Sequence, residues 1–230
     1  MTRFLLLFLM GTIPALSDSA GLITSARAER DAMPTADPEA PFWKVVSGVW
    51  IENDPMGKPI AGHRSEVRSR WTDKYIYFLF VCPYRELHLK PNPQTTADTN
   101  RLWEWDVAEV FVGSDFENIH RYKEFELSPQ GEWIDLDIDS RKLNADENLK
   151  WNSGFEVKAR IDASRKIWYG EMKIPLASID PRPPKPGNKL RINFYRAQGK
   201  PPERVYMSWQ PTRSKSFHVP EAFGTLVLGK

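Results

Sequence analysis

The 230 residues carry 32 Lys and Arg against 30 Asp and Glu, a formal net charge of +2 interspersed along the chain. With neither a basic stripe nor an acidic tail there is no electrostatic footprint for a phosphate backbone, which sets nucleic acid aside as a partner. Hydrophobic residues make up 41% and aromatic ones 12%, enough for a real core, and nine Trp with 19 Pro point to an all-β domain with shaped surface clefts.

The chain opens on Arg3 followed by an almost unbroken apolar run over residues 4–16. That run is too short to cross a bilayer and suits the core of a signal peptide. Residues 1–28 are therefore assigned to a signal peptide with its cleavage region, and the protein is expected outside the cytoplasm, periplasmic or extracellular. Small residues stand at cleavage spacing in Ala15-Leu16-Ser17 and again in Ala26-Arg27-Ala28. No later segment has the apolar continuity of a transmembrane helix, so no membrane contact is expected once the leader is removed. Residues 29–41, polar and Pro-rich, are expected to form a linker or an extended approach to a single domain over residues 42–230. Cys82 is the sole cysteine, which excludes an intramolecular disulfide and suggests a buried thiol.

From Trp43 onward, short apolar runs are separated by turn residues. Val67 and Trp71 precede the turn Thr72-Asp73-Lys74, and the β-branched and aromatic run over residues 75–81 follows as a central strand. In residues 107–112, Val110 and Val112 face one way and Glu109 and Phe111 the other. Residues 122–127 set Phe125 and Leu127 opposite Glu124 and Glu126. After the turn Gln130-Gly131, Trp133, Asp135 and Asp137 alternate with Ile134, Leu136 and Ile138. Residues 155–161 and 168–174 form a further pair across the polar turn 162–166. Residues 176–179 leave room for one helical turn, and strands follow over 190–195, 205–209 and 225–228. Many short strands and no long helix predict an all-β, antiparallel β-sandwich, jelly-roll-like, with an immunoglobulin-like two-sheet architecture.

Several of these segments carry a resemblance. Trp71-Thr72-Asp73-Lys74-Tyr75-Ile76-Tyr77 looks like the strand–turn–strand signature of the family 9 carbohydrate-binding modules and their DOMON-like bacterial relatives. In the same order come Trp103-Glu104-Trp105-Asp106-Val107-Ala108-Glu109-Val110-Phe111 and Tyr122-Lys123-Glu124-Phe125-Glu126-Leu127-Ser128-Pro129. The step Ile174-Pro175, the run Arg191-Ile192-Asn193-Phe194-Tyr195-Arg196, Ser208-Trp209 and Phe217-His218-Val219-Pro220-Glu221-Ala222-Phe223-Gly224 complete it, over about residues 36–229. The resemblance implies a non-catalytic sandwich that grips a sugar between two aromatic rings. Trp103 matches one ring, and Phe217 falls where the second, a Trp in the family, would be. Glu109 matches a carboxylate that accepts hydrogen bonds from sugar hydroxyls, and Asn193 and Tyr195 lie on a strand that supplies further polar contacts. Glu126 stands where the family has a basic residue, a departure that bears on ligand preference.

Chemistry supports the same residue types. Sugars present C–H patches that pack on aromatic faces and hydroxyls that need polar partners. The ligand expected is a polysaccharide or oligosaccharide, with a separate glycoside-active protein as a conceivable partner. Against catalysis, the four His residues are scattered without metal-ligand spacing, and there is neither a Gly-rich phosphate loop nor a G-x-S-x-G turn. A haem-binding electron-transfer sandwich of the DOMON type is the alternative, with Met207 and His120 or His218 as axial candidates. A third reading is an interaction domain that kept the fold without a sugar site. Asp135, Asp137 and Asp139 alternate on one strand face, an arrangement open to structural calcium, which the family resemblance also allows.

Overall fold

A computed structural model describes residues 21–143 and 150–230. Its strands are β1 (Leu22–Arg27), β2 (Val49–Ile51), β3 (Ser65–Trp71), β4 (Tyr75–Pro83), β5 (Val107–Gly113) and β6 (Arg121–Leu127). They continue with β7 (Trp133–Asp139), β8 (Glu156–Asp162), β9 (Ile167–Pro175), β10 (Lys189–Gln198), β11 (Val205–Ser208) and β12 (Gly224–Leu228). Two sheets result. One runs β7-β6-β5-β10-β12 with β11 beside β10, and the other runs β3-β4-β9-β8 with β2 beside β3.

The strand β1 is the seam between them. Residues 22–25 pair in parallel with β12, and Ala26 and Arg27 pair in parallel with β3. One continuous path of hydrogen-bonded strands therefore links both sheets, nearly closing into a barrel. The expected all-β sandwich is present, with β1 as its one parallel element. The sandwich is antiparallel except at β1, whose two pairings are parallel. Residues 22–28 pack into the domain: Ile23 and Ser25 are buried in the seam and the Ala28 N–H donates to the Trp71 carbonyl.

Alternation explains the core. In β4 the side chains of Ile76, Phe78, Phe80 and Cys82 point between the sheets, where Phe194 packs edge-on to Phe78 at 5.4 Å. Gly170 in β9 lets the sheets approach closely, since a Cβ there would come within 2.9 Å of the Leu127 side chain. The opposite face of β4 is buried as well. Tyr77 and Leu79 pack with Trp43 and Phe42, so residues 28–45 form a packed cover rather than a free linker. Glu171 fixes that cover by accepting the N–H groups of Thr35 and Ala36, both at 2.8 Å.

A guanidinium lies inside the sandwich. Arg196 of β10 is fully buried; its guanidinium donates to Ser65 Oγ at 2.8 Å and to Gln198 Oε1, and it faces the Trp168 ring. Ser65 belongs to β3, so the guanidinium ties one sheet to the other across the core. The buried Asp106 carboxylate supplies compensating field without touching it. Removing such a group leaves buried polar partners unmet and opens a cavity, each a recognised source of large destabilisation. Arg196→Ala is expected to lower the free energy of unfolding by about 3 kcal/mol or more. Urea titration would register it as a lower midpoint with an unchanged slope.

Candidate functional site

The sheet containing β5, β6, β7 and β10 is apolar on both faces. Cross-strand register places Glu109 opposite Glu126 and Phe111 opposite Glu124 between β5 and β6. It places Tyr195 opposite Glu109 between β10 and β5, and Leu136 opposite Glu124 between β7 and β6. These side chains share the face turned away from the core. There Phe111, Tyr122, Ile134, Leu136, Ile138 and Tyr195 form a second cluster, on which Trp103, Phe217 and Phe223 rest. Hydrophobic residues on both faces oblige the loops to cover the outer one.

Two loops do so incompletely. In the first, Leu102 is buried under a 3-10 turn, Leu102–Glu104, while Trp103 stays half-buried. Arg204 pins this loop by donating to the carbonyls of Trp103 at 2.8 Å and Trp105 at 2.6 Å. The second loop carries Phe217, whose ring stacks on Tyr195 at 4.2 Å with 13° between planes. Between the loops lies a cleft of roughly 380 Å³, within the range of small-molecule sites. Trp103, Phe111, Tyr206 and Phe217 supply its aromatic surface, Glu109 and Glu124 its carboxylates, and Lys215 and His218 line it from the second loop.

The structure thus brings Trp103, Glu109 and Phe217 to one cleft. Asn193 and Tyr195 are fully buried beneath it and are not among its lining residues. Tyr195 donates to the Phe217 carbonyl at 3.0 Å and accepts from Asn193 Nδ2 at 2.8 Å. Asn193 also clamps the second loop at both polar atoms of the Gln210 backbone. Their hydrogen bonds are used to hold the loop that presents Phe217. The lining residues Phe111, Glu124, Tyr206 and Lys215 escaped sequence reasoning. Strand alternation did put Phe111 with Glu109, and Glu124 with Glu126, but only the register joins the two pairs.

Electrostatics set this cleft apart. Glu109, Glu124 and Glu126 are 3%, 4% and 0% exposed, and among the described residues none forms a salt bridge. Burial holds the Glu124 carboxyl up at about 7, and burial together with the neighbouring carboxylates holds Glu109 and Glu126 well above the usual range. No other group among the described residues reaches either oxygen of Glu126 or Oε2 of Glu124. The hydrogen bond open to them is the one they make with each other when Glu126 carries a proton. The nearest guanidinium, Arg204, acts only through space, since its N–H groups serve backbone carbonyls. His218 is hydrogen-bonded through Nδ1 to the Tyr122 hydroxyl at 2.8 Å, and burial pushes it down to about 4, leaving it neutral.

The remaining candidates are dispersed. Asp135 accepts the Ser153 N–H at 2.6 Å, Asp137 pairs with Lys123 at 2.8 Å, and Asp139 pairs with Arg141 at 2.8 Å. Among the described residues no group of three His, Cys, Asp or Glu side chains is placed to hold a metal. Met207 is buried between the sheets, whereas His218 faces the outer cleft and His120 bonds Ser140. The two faces of one sheet separate Met207 from His218, so they do not form an axial pair. Trp168 is core, Trp133 packs edge-on to Phe155, and Trp105 lies over His88 at 4.5 Å.

The family described as "Carbohydrate family 9 binding domain-like" matches residues 40–230. A protein of Arthroderma benhamiae described as an extracellular protein is 23% identical over 168 residues, 68% of this chain and 69% of its own length. A proposed carbohydrate-binding protein from Bacteroides uniformis superposes with a TM-score of 0.70 at 17% identity, over 91% of this chain and 100% of its own. A family 9 carbohydrate-binding module from Caldicellulosiruptor kristjanssonii, solved with cellotriose, gives 0.62 at 12% identity, over 90% and 93%. At such identities the superpositions speak for the fold. Among the described residues no helix is long and apolar enough to cross a membrane.

The buried carboxyls make stability depend on pH with a definite sign. Their folded values lie above the unfolded value near 4.5, so the unfolded chain releases its protons first as pH rises. The stabilisation is complete below about pH 4.5 and is lost as pH rises through the folded values, about 7 for Glu124. Unfolding free energy is expected to drop between pH 5 and 8 by on the order of a few kcal/mol. Glu126→Gln should flatten that slope in denaturant titrations across the same window.

Proposed function

This chain belongs to the carbohydrate family 9 binding domain-like family, and from that premise we propose that it is an exported, non-catalytic protein that binds carbohydrate at Trp103 and Phe217. The observation that carries the reading is the convergence of Trp103, Phe217 and Tyr206 with Glu109 and Glu124 on one open cleft. Aromatic faces match the C–H patches of a pyranose, and carboxylates match its hydroxyls. The stack of Phe217 on Tyr195 holds one ring, and the bond from Arg204 to the Trp103 carbonyl holds the loop that carries the other, before a ligand arrives. The solved complexes of a family 9 module from Caldicellulosiruptor kristjanssonii with cellotriose and with glucose lend weight to a saccharide ligand.

A binding role fits the carboxylates better than hydrolysis does. Glycoside cleavage needs an acid and an ionised partner flanking the scissile bond. Here Glu109, Glu124 and Glu126 crowd one face of one sheet, where burial raises the proton affinity of all three and the neighbouring carboxyls raise that of Glu109 and Glu126 further. Export is supported by the apolar run over residues 4–16 and by the extracellular description of the fungal relative. Since β1 seams the sheets, leader removal at Ala15-Leu16-Ser17 preserves the domain, whereas cleavage at Ala26-Arg27-Ala28 would take all of β1 away.

Trp103→Ala tests the reading. Binding to whatever saccharide a glycan array identifies should weaken roughly thirtyfold or more, as for loss of a central aromatic anchor. The thermal midpoint should stay within about 3 °C, because the ring is half-buried at the rim of the cluster. A large stability loss with binding intact would make Trp103 a packing residue instead.

A further inference from the structure

The carboxylates beneath the cleft exceed what a neutral sugar requires. One acceptor, or a glutamine amide, suffices for a hydroxyl. Three glutamates on adjacent strands, each at least 96% buried and none in a salt bridge among the described residues, carry a desolvation cost with no internal cation to offset it. Glu109 and Glu124 line the cleft, and Glu126 lies behind them across from Glu109. The walls are aromatic: Trp103, Phe111, Tyr206 and Phe217 turn π-faces or edges to the same space. Buried carboxylates within an aromatic enclosure make a receptor for an organic cation, whose charge both attract.

Resting on the carbohydrate reading above, we propose that the ligand of this cleft bears a protonated amine: an amino sugar unit, its ammonium over Glu109 and Glu124 and its ring against Trp103 and Phe217. A hard divalent cation fits less well, since it wants about six to eight oxygens and most of this cleft's wall is hydrocarbon. The groups facing the carboxyls are Tyr122 and Tyr195 from the sheet, and Arg204, Lys215 and neutral His218 from the loops. Arg204 is committed to backbone carbonyls, and Lys215 is exposed at the mouth, so neither fills the ammonium position. When the ammonium binds, the proton held by the carboxyl cluster leaves to solvent, and no bond of the sugar changes.

The test is calorimetric titration of the full chain at pH 7 with glucosamine oligomers, N-acetylglucosamine oligomers and cello-oligosaccharides of equal length, and with a lysine-rich peptide. The glucosamine oligomer is expected to bind at least tenfold tighter than either neutral oligomer, with heats that vary with buffer ionisation because a proton is released. Its affinity should fall about tenfold or more between pH 7 and pH 5, as the carboxyls retain their protons. Glu124→Gln, a near-isosteric change expected to fold at least as well, should erase the preference for the amine. Neutral oligomers that bind as tightly, in a manner lost with Trp103→Ala, would overturn the amine and leave the carbohydrate reading standing. No binding by any saccharide would overturn both. Binding of the lysine peptide in place of the amino sugar would overturn the proposal in favour of a protein ligand.

Discussion

Three carboxyl groups that cannot all be ionised together organise one half of this molecule. Glu109, Glu124 and Glu126 sit on neighbouring positions of β5 and β6, in a patch from which water is largely excluded. In such a patch a carboxylate is costly unless a cation or several N–H donors meet it, and here neither does among the described residues. The fold holds their proton affinity high by burial and surrounds them with rings. The surrounding face is hydrophobic in its own right, which forces loops across it, and the gap those loops leave is the cleft.

The two sheets solve the same problem in different ways. The outer face of the β3-β4-β9-β8 sheet is sealed by residues 28–45, with Trp43 fully buried over Tyr77 and Leu79. The outer face of the other sheet is only partly sealed. There Leu102 fills its share, but Trp103 and Phe217 remain half-buried at the rim. The polar side chains nearby serve to fix the two loops that carry these rings: Arg204 holds the Trp103 loop, and Asn193 with Tyr195 holds the Phe217 loop. A preorganised rim of this kind reduces the ordering cost of capturing a flexible oligosaccharide.

Much of this architecture was legible in the residues. Alternation in 107–112 and 122–127 correctly separated Val110 and Phe125, which face the core, from Glu109 and Glu124, which face the cleft. What alternation does not encode is which strand lies beside which. The meeting of Glu109 with Glu126 depends on β5–β6 register, and that of Phe217 with Tyr195 on a loop 22 residues away. Asn193 and Tyr195 stand on the anticipated strand and face, yet their polar atoms serve the Gln210 and Phe217 backbone. The strand β1 was obscured by its place directly after an apolar leader-like run, and its parallel pairings have no local turn to announce them. Likewise the alternating Asp135, Asp137 and Asp139 resemble a cation site in sequence, but each meets its own donor in space.

The central claim, that the face bearing Glu109 and Glu124 is where saccharide binds, is tested most directly by nuclear magnetic resonance of the tryptophan indole N–H groups during saccharide titration. Trp103 lines the cleft, while Trp43, Trp71 and Trp168 are wholly buried elsewhere and serve as internal references. The account predicts a saturable shift of the Trp103 resonance with the three references unmoved. A saturable shift at other tryptophans with Trp103 unmoved would place the ligand elsewhere and contradict it.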